Sequence, residues 1–139
     1  MYIITPAELL KRYAAGERNF AGITLNNRDR SSVEIFREAD LSEAQLQHAS
    51  LHGVDLAGAK LIGAQLNVAD LIRTDLTSAD LTGADLSNAY LDKANLTNAI
   101  LLNANLGSED NDELAYLDTA IFRNTTMPDG SIRNDSVAS

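Results

Sequence analysis

The chain is expected to be all-β, a solenoid in which short extended pieces alternate with sharp corners and stack on one another. Three observations lead there. Leu recurs at every fifth position, at Leu41, Leu46, Leu51, Leu56, Leu61, Leu66, Leu71, Leu76, Leu81, Leu86, Leu91, Leu96, Leu101 and Leu106, fourteen times without a gap. Two residues before each Leu, Ala fills twelve of the fourteen places, with Val54 and Thr74 the exceptions. Two residues after it, Gly or Asn recurs, at Gly53, Gly58, Gly63, Gly83, Asn88, Asn98 and Asn103.

A repeat this strict outranks local propensity as evidence of fold. A helix advances about 100° per residue, so Leu every five residues would wander over all its faces. An unbroken strand has period two, so successive Leu would alternate sides. Leu stays inward only if the chain turns once per pentad. Positions one and three then face inward, position two faces out, and positions four and five make the corner. Position two is accordingly polar at Asp40, Asp55, Asp70, Asp75, Asp80, Asp85 and Asn95. A type II turn over the corner needs positive φ at its third residue, which Gly or Asn supplies. Corners that carry Glu43, Arg73 or Lys93 there are expected to use a turn without that demand. The fourteen Leu form the candidate core, each worth about 1.5–3 kcal/mol on burial. No coil covers its own faces, so neighbouring coils complete the core.

These Ala-(Asp/Asn)-Leu-x-x units resemble the pentapeptide-repeat family. The resemblance implies a right-handed quadrilateral parallel β-helix, in which four corners close a coil and residues 20 apart stack. One domain is expected over 1–139: an N-terminal helical cap at 1–17, an irregular first coil at 18–38, regular repeats at 39–108, an acidic loop and last coil at 109–130, and a polar tail at 131–139.

Residues 5–16 read as a helix. Thr5 is a good N-cap, Pro6 suits the first helical position, and Glu8 completes a capping box. Gly16 is a natural stop. Leu9, Leu10 and Tyr13 share one face, fit to plug the unpaired edge of the first coil. The fives resume at Phe20 and Leu25, one residue out of phase with the later series. A single extra residue before Leu41 is expected, with Arg28 to Ser32 bulging outward because Arg30 cannot replace a buried Leu. A second single-residue insertion is expected in the acidic stretch Glu109 to Glu113. The triplets then resume at Ala115-Tyr116-Leu117, Ala120-Ile121-Phe122 and Thr125-Thr126-Met127. On that count 22 slots make about 5.5 coils, a stack of roughly 26 Å. Arg30 and Asn111 then fall in the column of Leu51, Leu71 and Leu91. Pro128-Asp129-Gly130 reads as a turn, and the tail beyond it as loose.

The search for chemistry is short. Without cysteine there is no disulfide and no thiolate. No apolar run approaches the ~20 residues of a membrane span, and the N-terminus lacks a signal pattern, so a cytoplasmic protein is expected, with no membrane contact. A net charge of −9 argues against direct binding to nucleic acid. His48 and His52 read as solvated corner residues, not as a metal pair with Asp70. The acidic run from Glu109 lacks the Gly and the distal Glu of a calcium loop. There is no Gly-rich phosphate loop. Hence no catalytic, cofactor or metal residue is assigned, and the resemblance implies none.

The expectation is a non-enzymatic scaffold that presents ladders of side chains to a protein partner. Asp40, Lys60 and Asp80 would stack as one ladder, Asp55 and Asp75 as another, and Gln45, Gln65, Asp85 and Asn105 as a third. The candidate protein interface comprises Ile100, Leu102, Ile121 and Ile62, with Ile100 and Ile121 in one column. It would serve a homodimer or another protein, unless Ile132 or Val137 of the tail folds back over it. The alternative is a DNA-mimicking modulator of a type II topoisomerase, because some members of the family imitate duplex DNA on gyrase. The regular section holds eight acids and three bases, whereas roughly 26 Å of duplex carries about 15 charges.

Overall fold

Each pentad ends in the same corner. From Ala44 to Ala104 the amide at position one donates to the carbonyl of the preceding Leu, at 2.9–3.1 Å. The intervening position-five residue has φ between 57° and 70° in every case from Glu43 to Asn103. Glu43, His48, Val68, Arg73, Ser78 and Lys93 adopt it as fully as the glycines do. The expected exemption for Glu43, Arg73 and Lys93 is therefore corrected. A left-handed residue with a Cβ costs about 1–2 kcal/mol, and the buried Leu that each corner turns inward offsets it.

The computed structural model describes residues 2–25, 36–108, 110 and 112–135. Its longer elements lie at the ends: β1 (Tyr2–Ile4), α1 (Pro6–Ala14), β2 (Ile23–Leu25), β3 (Thr125–Thr126) and β4 (Ile132–Arg133). Between them the backbone pairs coil to coil through parallel bridges 20 residues apart, such as Asp40 with Lys60 and Lys60 with Asp80. Each side carries two hydrogen bonds per step, and the corner beside it a third, such as Glu43 N–H to the Ile62 carbonyl at 2.9 Å. Leu41 N–H donates to the Lys60 carbonyl at 2.8 Å, and Lys60 N–H to the Ala39 carbonyl at 2.9 Å.

Inside, the Leu residues from 41 to 101 are buried, and the Ala residues at position one from Ala44 to Ala99 are fully enclosed. Leu106, at the end of its column, is only partly covered. Thr74 is also buried, and its hydroxyl donates to the Leu51 carbonyl at 2.9 Å. Thr is tolerated where the pattern wants Ala because that bond satisfies the hydroxyl.

The two irregular stretches are longer than the spacing suggests. Asn19 pairs with Gln45 and Thr24 with Ser50; Tyr90 pairs with Tyr116, Asn95 with Ile121 and Ile100 with Thr126. All five offsets are 26, so each excursion adds six residues to the period, not one. Leu25 therefore sits over Leu51, where Arg30 was expected, and Leu117 takes the place expected for Asn111. Four columns result, each five residues deep: Phe20 to Leu106, Leu25 to Leu117, Phe36 to Phe122, and Leu41 to Met127. That makes 20 inward places among the described residues in place of 22. The three triplets at 115–127 fall in the expected phase. Arg28 to Ser32 and Asn111 lie outside the described residues.

At the N-terminal end β1 lies parallel on β2, an element the sequence reading lacked. Thr5 caps α1, its hydroxyl accepting from Glu8 N–H at 3.1 Å. The helix ends at Ala14, and Gly16 turns the chain with φ of 102°. Leu9 is buried, and the Tyr13 hydroxyl donates to the Ser42 carbonyl at 2.7 Å. At the other end β4 pairs antiparallel with β3. The Arg133 guanidinium lies 3.8 Å above the Phe122 ring, and Asp135 N–H donates to the Phe122 carbonyl at 3.0 Å. The expectation of a loose tail is thus corrected as far as Asp135, because these contacts close the columns of Phe122 and Met127.

Leu76 sits at the centre of the stack, with Leu56 and Leu96 in the rows on either side. Leu76→Lys buries an unpaired charge and is expected to abolish the cooperative thermal transition. A soluble variant that melts at the wild-type temperature would contradict the inward assignment.

Candidate interaction face

The four outer sides are built from position two and the corners. Asp or Asn at position two does more than face water. Its Oδ1 accepts from the backbone N–H two residues on: Ser42 to Asp40, Ala57 to Asp55, Ile72 to Asp70, Thr77 to Asp75, Thr82 to Asp80 and Ser87 to Asp85, each at 3.0 Å. The side chain thereby satisfies an amide that the corner leaves without a rung partner. The Ser42 amide and hydroxyl hold the Asp40 carboxyl below the usual carboxylate range, and Ser131 does the same to Asp129. The like-charged neighbours Asp55 and Asp75 stack as expected, with Arg37 Nε at 2.6 Å from Asp55 Oδ2.

Where position two departs from Asp or Asn, the sides become individual. Ile100 lies in the row next to Thr126, in line with Asp40, Lys60 and Asp80. Ile121 lies next to Asn95, on the neighbouring side. Leu102 does stand over Thr82 and Ile62, but Ile62 is two rows away. The six-residue excursion shifts Ile121 by one side, so the four do not gather into one patch as expected.

A different side turns aromatic and apolar toward its C-terminal end. Its outward column runs Thr24, Ser50, Asp70, Tyr90, Tyr116. The two tyrosine rings stack with centroids 4.8 Å apart and planes within 2°. Tyr116 is 50% exposed. Leu114 stands exposed at the adjoining corner, and Ile72 and Val68 are half-buried nearby. Tyr at position two in both 89–91 and 115–117 was the available signal, hidden by the shorter insertion first assumed.

Both excursions border this side. One leaves after Leu25, the other after Leu106. The second closes on itself: Ala115 N–H reaches the Leu106 carbonyl at 2.8 Å, making the corner hydrogen bond across the inserted residues. Glu113 O accepts from Asn88 N–H at 2.8 Å, the bond an uninterrupted repeat would make at 107. Gly107 forms the neck with φ of 78°, and a Cβ there would collide with the Glu113 carbonyl. Beside it lies an open depression of about 520 Å³ lined by Asp112, Leu114, Ala115, Tyr116 and Asp118.

His48 and His52 occupy the corners flanking the same side, with His52 Nδ1 at 3.8 Å from Asp70 Oδ1. Among the described residues no three His, Cys, Asp or Glu side chains converge as metal ligands. No helix among them is long and apolar enough to cross a membrane.

The stacked coils with their corner repeat define the class of protein. A family model described as pentapeptide repeats (8 copies) matches residues 35–77 and 69–107, and the chain belongs to that family. Among solved structures it is similar to alr5209, a pentapeptide repeat protein from Nostoc Pcc 7120, at 29% identity and TM-score 0.58, over 97% of this chain and 90% of that one. It is also similar to Rfr23 from the cyanobacterium Cyanothece 51142, at 25% identity and TM-score 0.53, over 85% of this chain. The chain spans 62% of the length of Rfr23. No curated protein shows significant sequence similarity.

Removing a position-two carboxylate tests the corner bond. Asp75→Ala is expected to lower stability by about 1 kcal/mol and Asp75→Asn by much less, read by denaturant unfolding. Asp40 and Asp129 have depressed folded pKa values. Their contribution is therefore present above about pH 4 and is lost as pH falls below it. An Asp40→Asn variant should lose less stability between pH 5 and pH 2 than wild type; an identical loss would contradict the assignment.

Proposed function

We propose that the protein is a non-enzymatic interaction scaffold: a right-handed, five-coil prism that offers its tyrosine side to a protein partner. The observation that carries this reading is the convergence of irregularities. Among the described residues, the only aromatic side chains at outward position two are Tyr90 and Tyr116, and both excursions from the 20-residue register border the side that holds them. Exposed apolar groups that cluster mark contacts more often than single ones do, and insertions on a rigid scaffold are where recognition collects.

The DNA-mimic alternative calls for acidic side chains stacked along a face. Asp40 and Asp80 instead alternate with Lys60, and the column of Asp70 turns aromatic at Tyr90.

Capture of partners from a lysate of the source organism tests the reading. Tyr90→Ser with Tyr116→Ser should lose the partner retained by wild type, while Ile100→Asp with Ile121→Asp should keep it. The reverse pattern would return the interface to the Ile100 side. A gyrase supercoiling assay should show no inhibition at micromolar protein, and inhibition there would favour the mimic.

In the same reading α1 and β1 cap the first coil, which would otherwise present an open edge and an apolar end. Deleting residues 1–16 should produce oligomers or aggregates in size-exclusion chromatography. A truncated protein that stays monomeric and melts like wild type would assign the helix another role.

A further inference from the structure

The two ends of the tyrosine side are finished differently. At the N-terminal end the chain lays an extra half-rung on it: β1 pairs in parallel with β2, Ile3 opposite Thr24 and Ile4 opposite Leu25. Ile3 points out and Ile4 is buried against the core. At the C-terminal end the two other sides of the last coil are closed by β4 and by Arg133. The segment Ala115–Leu117 has no such cover. One coil back, Leu91 N–H donates to the Tyr116 carbonyl at 3.0 Å, and the Ala89 carbonyl accepts from Tyr116 N–H at 2.9 Å. Among the described residues, nothing answers the equivalent Leu117 N–H or Ala115 carbonyl. Leu117 is only half-buried, although Leu51, Leu71 and Leu91 of its column are enclosed. Tyr116 has Tyr90 against one face and no described ring or cation against the other.

We infer that this edge takes an extended segment of a partner protein as one more rung, with an arginine set outward on Tyr116 and an aliphatic residue set inward on Leu117. The inference rests on the tyrosine side being the interaction side. An open edge with adjacent apolar cover is what strand addition uses: backbone bonds hold the segment, and alternate side chains select it. Three features choose arginine for the outward place. The exposed tyrosine face attracts a cation. Asp112 and Asp118 line the depression beside it, so a flat guanidinium can stack on the ring and bond to carboxylates in its own plane, which an ammonium cannot. Residues 39–139 hold fifteen of the twenty acidic residues and five of the eleven basic ones, so the field at this end favours a basic segment. Among the described residues the chain already uses the contact four times, most closely with Arg133 at 3.8 Å from the Phe122 ring and Arg18 at 3.6 Å from the Tyr13 ring.

The probe is a blocked hexapeptide, Ser-Thr-Arg-Leu-Thr-Ser, beside the same peptide with citrulline for arginine, titrated into the full chain and followed by amide NMR shifts. The arginine peptide should shift the amides of residues 115–119. Citrulline, or Tyr116→Ser, should weaken binding about three- to thirtyfold, and Tyr116→Phe should keep it. Deleting residues 136–139 should leave the affinity unchanged. Equal binding of the two peptides, shifts mapping to another side, or no binding at millimolar peptide would overturn the inference. A tenfold gain on deleting 136–139 would also overturn it, by assigning the edge to the chain's own tail. Absence of peptide binding together with loss of partner capture in the double tyrosine variant would remove the added rung and leave the interaction side standing.

Discussion

The rest of the structure depends on the corner. Thirteen successive pentads close the same hydrogen bond over a residue in the left-handed region. Because the turn is the same each time, the extended pieces meet at a constant angle and the coils repeat every 20 residues. Only that repeat places Leu over Leu and amide over carbonyl simultaneously. Strain at Val68 or Arg73 is accepted because one divergent corner would put every later Leu out of its column. Position-two Asp and Asn belong to the same device, since they satisfy the corner amide that no rung reaches.

The regular section was legible because its pattern is unlike that of helix or strand and recurs without error. The inward Leu and the inward Ala follow from the period, and the stacks Asp40–Lys60–Asp80 and Gln45–Gln65–Asp85–Asn105 follow once the family resemblance supplies four corners per coil. Sequence spacing fixes phase within a pentad but not how many pentads an excursion bypasses. Adding one residue or six restores the same phase, and only the hydrogen-bonded register separates them. That ambiguity left Ala115-Tyr116-Leu117 correctly phased yet moved Ile121 to the wrong side. It also hid Tyr116 in the row next to Tyr90. The strand Tyr2–Ile4 was illegible for a different reason: three residues show no period.

Surface identity in this molecule is written in departures from the repeat. Where position two keeps Asp or Asn, neighbouring sides look alike and present little to distinguish them. Lys60, Tyr90, Ile100 and Tyr116 give up the corner bond that Asp would make, and each gives its side a distinct character. The tyrosines gain a mutual stacking contact in return, of a kind worth about 0.5–1.5 kcal/mol beyond its buried area.

The stacked rings have a further consequence. The chain contains no tryptophan and four tyrosines, so its near-ultraviolet spectrum comes chiefly from those rings. Tyr90 and Tyr116 sit on consecutive coils and stay coupled only while the last coil is docked. Tyr13, bonded to the Ser42 carbonyl, reports on the opposite end. In a solenoid each coil contacts only its neighbours and the ends open first. The molecule thus carries a separate optical label at each terminus, and fraying from one end is spectroscopically distinct from fraying at the other.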